Sequence, residues 1–187
     1  NLGNTSRNAD STNAILSATS SMNFSGGNAG HLLRVMTGGT LEITGTSGFN
    51  TALSSINSTW DIQNGSFTEF SGTGNQNVPS IPGSSSIPFG TSSNFYGYLT
   101  ISGSGNKFMF VAGIYNIAND LNIVNSSGVP ILNSNNNTIR MLGGNWYNYN
   151  TSGFDEGLGT VIFLGTITQT INCPGGERYF RLTFSKQ

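Results

Sequence analysis

The sequence predicts an all-β protein, and within that class a right-handed parallel β-helix, on three observations. Short runs alternate apolar and polar side chains, as strands with one buried face do. Clusters of Gly and Asn separate these runs, and both residues tolerate the positive φ of a sharp turn. One phrase of the sequence occurs twice, which is typical of stacked repeating units. An antiparallel β-sandwich is the alternative, because residues 72–75 also suit the tip of a hairpin.

The expected strands are these alternating runs, each about five residues long. In chain order they lie at residues 32–36, 40–44, 59–63, 66–70, 98–102, 107–111, 120–124, 138–142, 146–149, 160–164, 166–171 and 179–184. The turn clusters lie at residues 25–28, 38–39, 64–65, 102–106, 125–128, 133–137, 143–145 and 174–176. Residues 79–88 are rich in proline, which cannot donate to a strand ladder, so they are not expected in the middle of a sheet. Only residues 13–18 suit the start of a helix.

The duplicated phrase predicts a scaffold. Its two copies read Phe70-Ser71-Gly72-Thr73 with Gln76 and Val78 following, and Phe163-Leu164-Gly165-Thr166 with Gln169 and Ile171 following. Each copy leads into a second shared stretch, at residues 96–102 and 179–185. The repeated positions hold apolar and turn residues, and no acid or base repeats with them. We therefore expect a partner to contact what differs between the copies, residues 79–94 against 172–178.

The amino-acid composition limits the functions that this chain can have. Of its 187 residues 8% are charged, 35% are hydrophobic and 11% are aromatic, whereas ordinary domains carry roughly 25% charged residues. The apolar surface is enough to order the chain despite its many Ser, Asn and Gly residues. The net charge is −1 and the Lys and Arg residues are scattered, which argues against nucleic-acid binding. No apolar run reaches the roughly 18 residues that a membrane span needs.

His31, Cys173 and the Asn-rich run at residues 133–137 are predicted to have structural roles. His31 has no nucleophile or acid placed around it by a motif, so we expect a structural or surface histidine. Cys173 is the one cysteine, which rules out an intrachain disulfide and favours a small buried hydrophobe. Residues 133–137 suggest a solenoid corner in which side-chain amides satisfy bent backbone, with a plain exposed loop as the alternative.

Carboxylates and aromatic pairs are the candidates for binding or catalysis. Asp155 and Glu156 occupy a Gly-bounded loop that is either a solvated turn or a structural calcium site, although its spacing matches no standard calcium loop. Aromatic residues at 95–98 and 146–149 either stack on sugar rings or form one core face and one half-exposed face of a strand. No motif gives any residue a catalytic, cofactor-binding or metal-binding role, so none is assigned. The other carboxylates that paired acid–base chemistry would draw on are Glu42, Asp61, Glu69, Asp120 and Glu177.

The repeated phrase also carries a resemblance. Residues 159–171 read Gly-Thr-Val-x-Phe-x-Gly-Thr-x-x-Gln-x-Ile, and with the stretch at 179–184 they resemble repeats of very large secreted surface proteins of Bacteroidetes. Residues 113–123 resemble a strand-turn-strand phrase of the same proteins, and the likeness covers roughly 58–187. Asp10-Ser11-Thr12 resembles the short O-glycosylation motif of exported Bacteroidetes proteins. The resemblance implies an adhesin-like, β-helical protein exported by the type IX secretion route.

Two regions are expected along the chain. Residues 1–57 form an N-terminal β-rich segment that caps or precedes the coils. Residues 58–187 form the β-helical repeat region, with two related units of which the second is truncated at its C-terminal end. We expect the chain to be a segment of a longer repeat protein, whose signal and anchor lie outside it.

The expected function is that of a non-enzymatic structural and adhesive segment of a bacterial cell-surface or extracellular fibrous protein. Its expected partners are neighbouring repeats or other copies of itself, glycans and other cell surfaces, with no nucleic acid, no membrane span and no cofactor beyond a structural calcium. One alternative is a β-helical polysaccharide lyase or hydrolase, which would need two carboxylates close together in a groove. Another is an ice- or glycan-binding module, which would need a flat exposed face of Thr, Ser and Asn.

Overall fold

Parallel strand pairing defines the architecture. Every pairing between the described strands is parallel, and the chain winds as a β-solenoid in which each turn, here called a coil, stacks on the one before it. The predicted parallel β-helix is therefore confirmed, and an antiparallel sandwich does not describe these residues. The computed structural model describes residues 7–9, 15–18, 31–45, 58–81, 95–110 and 112–185.

Short strands make up all the regular structure of the described residues. The helix start considered at 13–18 is wrong, because residues 15–18 are a strand that pairs with the next coil. The strands are β1 Arg7–Ala9, β2 Ile15–Ala18, β3 His31–Val35, β4 Thr40–Ile43, β5 Ser58–Ile62, β6 Phe67–Phe70, β7 Gln76–Val78, β8 Phe95–Tyr96, β9 Tyr98–Ile101, β10 Gly105–Met109, β11 Ile114–Ile117, β12 Leu121–Ile123, β13 Pro130–Asn133, β14 Thr138–Met141, β15 Trp146–Asn148, β16 Phe154–Asp155, β17 Thr160–Phe163, β18 Ile171–Asn172 and β19 Arg181–Phe184.

These strands form four sheets that run along the solenoid. The largest has seven strands, in the order β18-β15-β12-β9-β6-β4-β2, and it continues on both sides of residue 57. A five-stranded sheet, β19-β17-β14-β11-β8, precedes it in the coils that follow residue 94, and the three-stranded sheet β1-β3-β5 does so in the earlier coils. The four-stranded sheet β16-β13-β10-β7 follows the seven-stranded one in the coils that have it.

The core consists of side chains that stack in columns from coil to coil. In β9 the side chains of Leu99 and Ile101 are fully buried while Thr100 faces outward, as the period of two requires. Leu99 lies opposite Leu121 of the next coil, and Leu121 lies opposite Trp146 of the coil after that. Burying a large apolar side chain contributes about 1.5–3 kcal/mol. Each coil therefore stabilises its neighbours mainly through these columns.

The first copy of the duplicated phrase is a corner between the seven-stranded and four-stranded sheets. After Phe70 the chain turns, and the Gly72 amide donates to Gln76 Oε1 at 3.1 Å. Gln76 Nε2 in turn donates to two carbonyls of the previous coil, Ile43 O at 2.9 Å and Gly45 O at 2.6 Å. The amide is buried, and it gives hydrogen-bond partners to the Gly72 amide and the Gly45 carbonyl, while Ile43 O also accepts from the Ser71 amide at 3.0 Å. We call this arrangement the glutamine clamp.

The second copy builds the same clamp at a different corner. The Gly165 amide donates to Gln169 Oε1 at 2.9 Å, and Gln169 Nε2 donates to Met141 O at 3.2 Å and to Gly144 O at 2.8 Å. Here the chain is leaving the five-stranded sheet, because Phe163 belongs to β17. The expected strand at 166–171 is therefore wrong over most of its length: these residues form the corner, and only Ile171 enters a strand.

Asparagine side chains hold the corner between the four-stranded and five-stranded sheets. Asn137 Nδ2 donates to Met109 O at 2.6 Å, and its Oδ1 accepts from the Gly113 amide at 2.8 Å. One coil later, the Leu158 amide donates to Asn136 Oδ1 at 2.7 Å. Positive φ at Asn136, 63°, lets the chain turn there. The predicted corner at 133–137 is confirmed.

Replacing Gln76 by Leu keeps the volume of the side chain and removes the clamp. We expect Gln76→Leu to lower the free energy of unfolding by about 3 kcal/mol, because it leaves buried backbone groups without partners. Gln169→Leu should cost less, about 1 kcal/mol, since that side chain is only half-buried and water can replace its bonds. Urea unfolding followed by circular dichroism measures both. The control is the exposed neighbour Thr168, and a Gln76→Leu variant as stable as Thr168→Ala would contradict the clamp.

Candidate functional site

The outward-facing side of the seven-stranded sheet is the most distinctive surface of the described residues. We call it the outer face. Its strands alternate buried and partly exposed side chains, so the core-facing columns leave an equally regular outward set. That set is Thr40, Glu42, Phe67, Glu69, Tyr98, Thr100, Asn122, Tyr147 and Asn172, with Tyr149 directly after β15.

Two aromatic pairs lie on the outer face. Phe67 and Tyr98 face each other across adjacent strands, with ring centroids 4.7 Å apart and planes 10° from parallel. Tyr147 lies in β15 and Tyr149 lies two residues further along the chain, with their ring centroids 6.1 Å apart and their planes 6° from parallel. Phe67 is 42% exposed and Tyr149 is 51% exposed. Both pairs therefore offer aromatic surface to a ligand.

The aromatic residues singled out in the sequence divide as strand alternation requires. Trp146 is fully buried and packs edge-on against Phe154, with centroids 4.9 Å apart. Tyr96 is also buried, and its hydroxyl donates to Pro79 O at 2.5 Å. Burial raises the pKa of Tyr96 well above its ordinary value. These two residues are core, and only their outward neighbours reach the outer face.

Two carboxylates also meet on the outer face. Glu42 lies opposite Glu69 on the adjacent strand, a backbone separation of about 4.8 Å. Each accepts a hydrogen bond from a serine of the next coil: Ser71 Oγ donates to Glu42 Oε1 at 2.8 Å, and Ser102 Oγ donates to Glu69 Oε1 at 2.5 Å. Stacking of acids in neighbouring coils is invisible in the sequence, where they stand 27 residues apart, because it depends on the length of the intervening coil.

The other carboxylates lie elsewhere in the solenoid. Asp61 is buried in β5 of the three-stranded sheet. Asp120 holds a corner, where its Oδ1 accepts from the Asn145 amide at 2.7 Å. Asp155 and Glu156 line a groove of about 560 Å³ near the C-terminal end, together with Glu177. No group of three or more His, Cys, Asp and Glu side chains suited to a metal ion occurs in the described part of the chain.

Glu177 closes the end of the core beside β15. Its Oε2 accepts from Asn148 Nδ2 at 2.8 Å and from Trp146 Nε1 at 3.2 Å. Burial raises the pKa of Glu177 above its ordinary value, although these donors oppose the shift. Cys173 lies 3.7 Å away, half-buried against the core, and burial beside Glu177 raises its thiol pKa to about 11. The thiol is therefore protonated at neutral pH, which agrees with its predicted packing role.

Lys107 is a buried cation that the sequence does not reveal. It lies opposite Gln76 of the preceding coil, and its side chain is fully buried. Nζ donates to three backbone carbonyls: Gly72 O at 2.7 Å, Gly74 O at 2.9 Å and Ser104 O at 2.9 Å. All three ammonium donors thus have partners, so Lys107 does at its corner what the glutamine does in the clamp. Burial lowers the pKa of Lys107 to about 8.

Three further features singled out in the sequence are His31, the motif at residues 10–12 and the variable segment. His31 is the first residue of β3. Residues 10–12, with the glycosylation motif, and residues 82–94 of the variable segment lie outside the described residues.

An ice-binding face would need threonines opposite one another on several successive strands. In the described part of the chain at most two threonines lie opposite one another in this way, so such an array is not present there. Among the described residues no helix is long and apolar enough to cross a membrane.

Comparison with protein-family models, curated proteins and solved structures found no match for this chain. The outer face must therefore be interpreted from its own chemistry. It combines flat aromatic surface with carboxylate, hydroxyl and amide groups, and the strands of this sheet contain no Lys or Arg from β2 to β18. Such a surface can stack on a ligand and accept hydrogen bonds from it.

The lowered pKa of Lys107 gives its contribution to stability a definite pH dependence. Between pH 8 and 10.5 the unfolded chain holds the lysine proton and the folded chain releases it. Stability contributed by Lys107 should therefore rise with pH across this window. Urea unfolding of the wild type and of Lys107→Met at pH 7, 8, 9 and 10 measures this, since tyrosine and cysteine titrations are common to both. The free energy of unfolding of the wild type minus that of Lys107→Met should rise from pH 8 to pH 10. A value that stays constant or falls over this range would contradict burial of the ammonium.

Proposed function

We propose that this chain is a non-enzymatic structural and adhesive segment of a bacterial cell-surface or extracellular fibrous protein. The single observation that supports the proposal most is the stack itself: successive coils repeat the same backbone pairing in one direction, as a fibrous segment requires. The resemblance of residues 58–187 to repeats of secreted Bacteroidetes surface proteins adds to it. Export by the type IX route and an extracellular location belong to the same proposal.

The means of stabilisation suit a segment exposed to changing surroundings. Coils are joined by backbone ladders, by buried columns and by corner side chains such as Gln76 and Asn137. Few of these contacts are ion pairs between exposed groups, which salt would screen. The one described salt bridge, Arg178 Nε to Glu156 Oε1 at 3.6 Å, involves an arginine that is 89% exposed. Stability should consequently depend little on ionic strength.

Outward positions are free to carry the adhesive chemistry. Stacking fixes the inward residues of each strand, whereas an outward residue can change without altering the core. Glu69, Thr100, Asn122 and Tyr147 are outward residues of four different coils on one sheet. A long row of such positions offers several weak contacts in parallel, which together give strong attachment.

A polysaccharide-active enzyme is the second candidate, and one observation favours it. Glu42 and Glu69 lie opposite each other on adjacent strands of the outer face, so two carboxylates stand side by side, as the paired acids of a glycosidase do. In that function one glutamate would act as nucleophile and the other as acid and base. Aromatic residues at the same level, Phe67 and Tyr98, would position the sugar.

Surface labelling tests the adhesive proposal. Antibodies raised against this chain should label the outside of intact source cells and any fibres attached to them, seen by immunogold electron microscopy. Cells from which the gene has been deleted serve as the control. Label found only after the cells are broken open would contradict the proposal.

Reducing-end release tests the enzyme candidate. The chain is incubated with a panel of polysaccharides, and new reducing ends are measured against Glu42→Gln and Glu69→Gln variants, which keep the shape of the side chains. The adhesive proposal predicts no release with any of the three proteins. Release by the wild type that falls at least 100-fold in either variant would establish the enzyme instead.

A further inference from the structure

The two aromatic pairs of the outer face lie within reach of one ligand. Tyr98 and Tyr147 are separated by two coils and by two residues along the strand, which places their backbones about 12 Å apart. Between them, in register on successive strands, stand Thr100 and Asn122. A short stretch of an extended chain therefore spans both pairs and passes over a hydroxyl and an amide.

Flat aromatic surface selects the kind of group that binds. Phe67 and Tyr98 stack on each other with planes 10° apart, and Tyr147 and Tyr149 with planes 6° apart, so only the ring faces that point away from the partner can stack on a ligand. The quadrupole of an aromatic ring makes its face negative and its edge positive. The face therefore attracts the slightly positive C–H groups on one side of a sugar ring. The half-exposed rings, Phe67 at 42% and Tyr149 at 51%, leave room for this contact.

The charges of the outer face select against acidic ligands. Glu42 and Glu69 occupy adjacent coils, and the strands of this sheet contain no Lys or Arg between β2 and β18. Carboxylates accept hydrogen bonds and repel other anions, so they favour hydroxyl donors over phosphate, sulfate or uronate groups. Phenol, hydroxyl and amide groups at the remaining outward positions can both donate and accept.

We propose that the outer face binds a neutral polysaccharide, which runs from the Phe67–Tyr98 pair to the Tyr147–Tyr149 pair. Sugar rings stack on the two aromatic pairs, and sugar hydroxyls donate to Glu69 and exchange hydrogen bonds with Asn122. This inference rests on the adhesive function proposed above and names its ligand class.

Affinity electrophoresis tests the inference with the intact chain. Native gels contain dextran, mannan, xylan or mixed-linkage β-glucan as neutral probes, and alginate or polygalacturonate as acidic probes. The wild type should be retarded in at least one neutral gel and in neither acidic gel. Phe67→Ala and Tyr149→Ala should each weaken that binding at least fivefold, because each removes one stacking surface.

Controls separate recognition by the outer face from general stickiness. Phe180→Ala removes a residue that is 56% exposed but lies off the outer face, and it should bind as the wild type does. Phe67→Tyr keeps an aromatic ring and should retain most of the binding. Each variant is first shown to melt at the wild-type temperature by circular dichroism. If Phe67→Ala does not, the loss of binding is judged from Tyr149→Ala alone.

Three results would overturn the inference: no retardation of the wild type in any neutral gel, equal or stronger retardation in the acidic gels, or an equal loss in Phe180→Ala. The outcome is independent of the labelling experiment. Surface label without polysaccharide binding would remove this inference and leave the adhesive function standing. Binding without surface label would contradict the adhesive function and support the outer face as a polysaccharide site.

Discussion

The structure depends on one constraint: the backbone amides and carbonyls at the corners need hydrogen-bond partners. Along each sheet the parallel ladder pairs these groups, but where the chain bends from one sheet to the next the ladder is interrupted. The corner side chains supply what is missing. Gln76 bonds to Gly72 in its own coil and to Ile43 and Gly45 in the coil before, so a single amide both closes a turn and joins two coils.

Different side chains meet the same requirement at different corners. Gln169 repeats the clamp on leaving the five-stranded sheet, Lys107 offers three donors to three carbonyls, and Asn137 offers a donor and an acceptor. Coils of unequal length share one stack. Cross-coil hydrogen bonds join residues 22, 25 and 31 positions apart. A solenoid of this kind can keep its core while its outward residues vary, which is why we propose that recognition occurs at the outer face.

The sequence predicts what is local and misses what depends on register. Strand alternation at 98–102 and the Asn-rich corner at 133–137 were both predictable, since period and turn chemistry are written in adjacent residues. The duplicated phrase correctly predicted stacked coils, but its copies occupy different sides of the solenoid. Nothing near Phe70 or Phe163 in the sequence says which sheet each enters. The pairing of Glu42 with Glu69 depends likewise on the length of a whole coil.

The candidate site was therefore only partly predictable. Alternation along 146–149 implies one core face and one outward face, and the structure assigns Trp146 to the first and Tyr147 to the second. The stacking of Phe67 on Tyr98 required knowledge of which strands are neighbours. Lys107 would be taken from the sequence for a surface residue, since lysine is almost never fully buried unless it is paired. Its three carbonyl partners come from two coils.

Hydrogen exchange of single backbone amides tests the role of the corner side chains most directly. The amides of Gly72 and Gly165 donate to Gln76 and Gln169 within their clamps, so both should be protected in the wild type. In Gln76→Leu we expect exchange at Gly72 to accelerate at least 100-fold, while Gly165 and the ladder amides of β14 and β17 keep their protection. Unchanged protection of Gly72 in that variant, or rapid exchange of both glycines in the wild type, would contradict it.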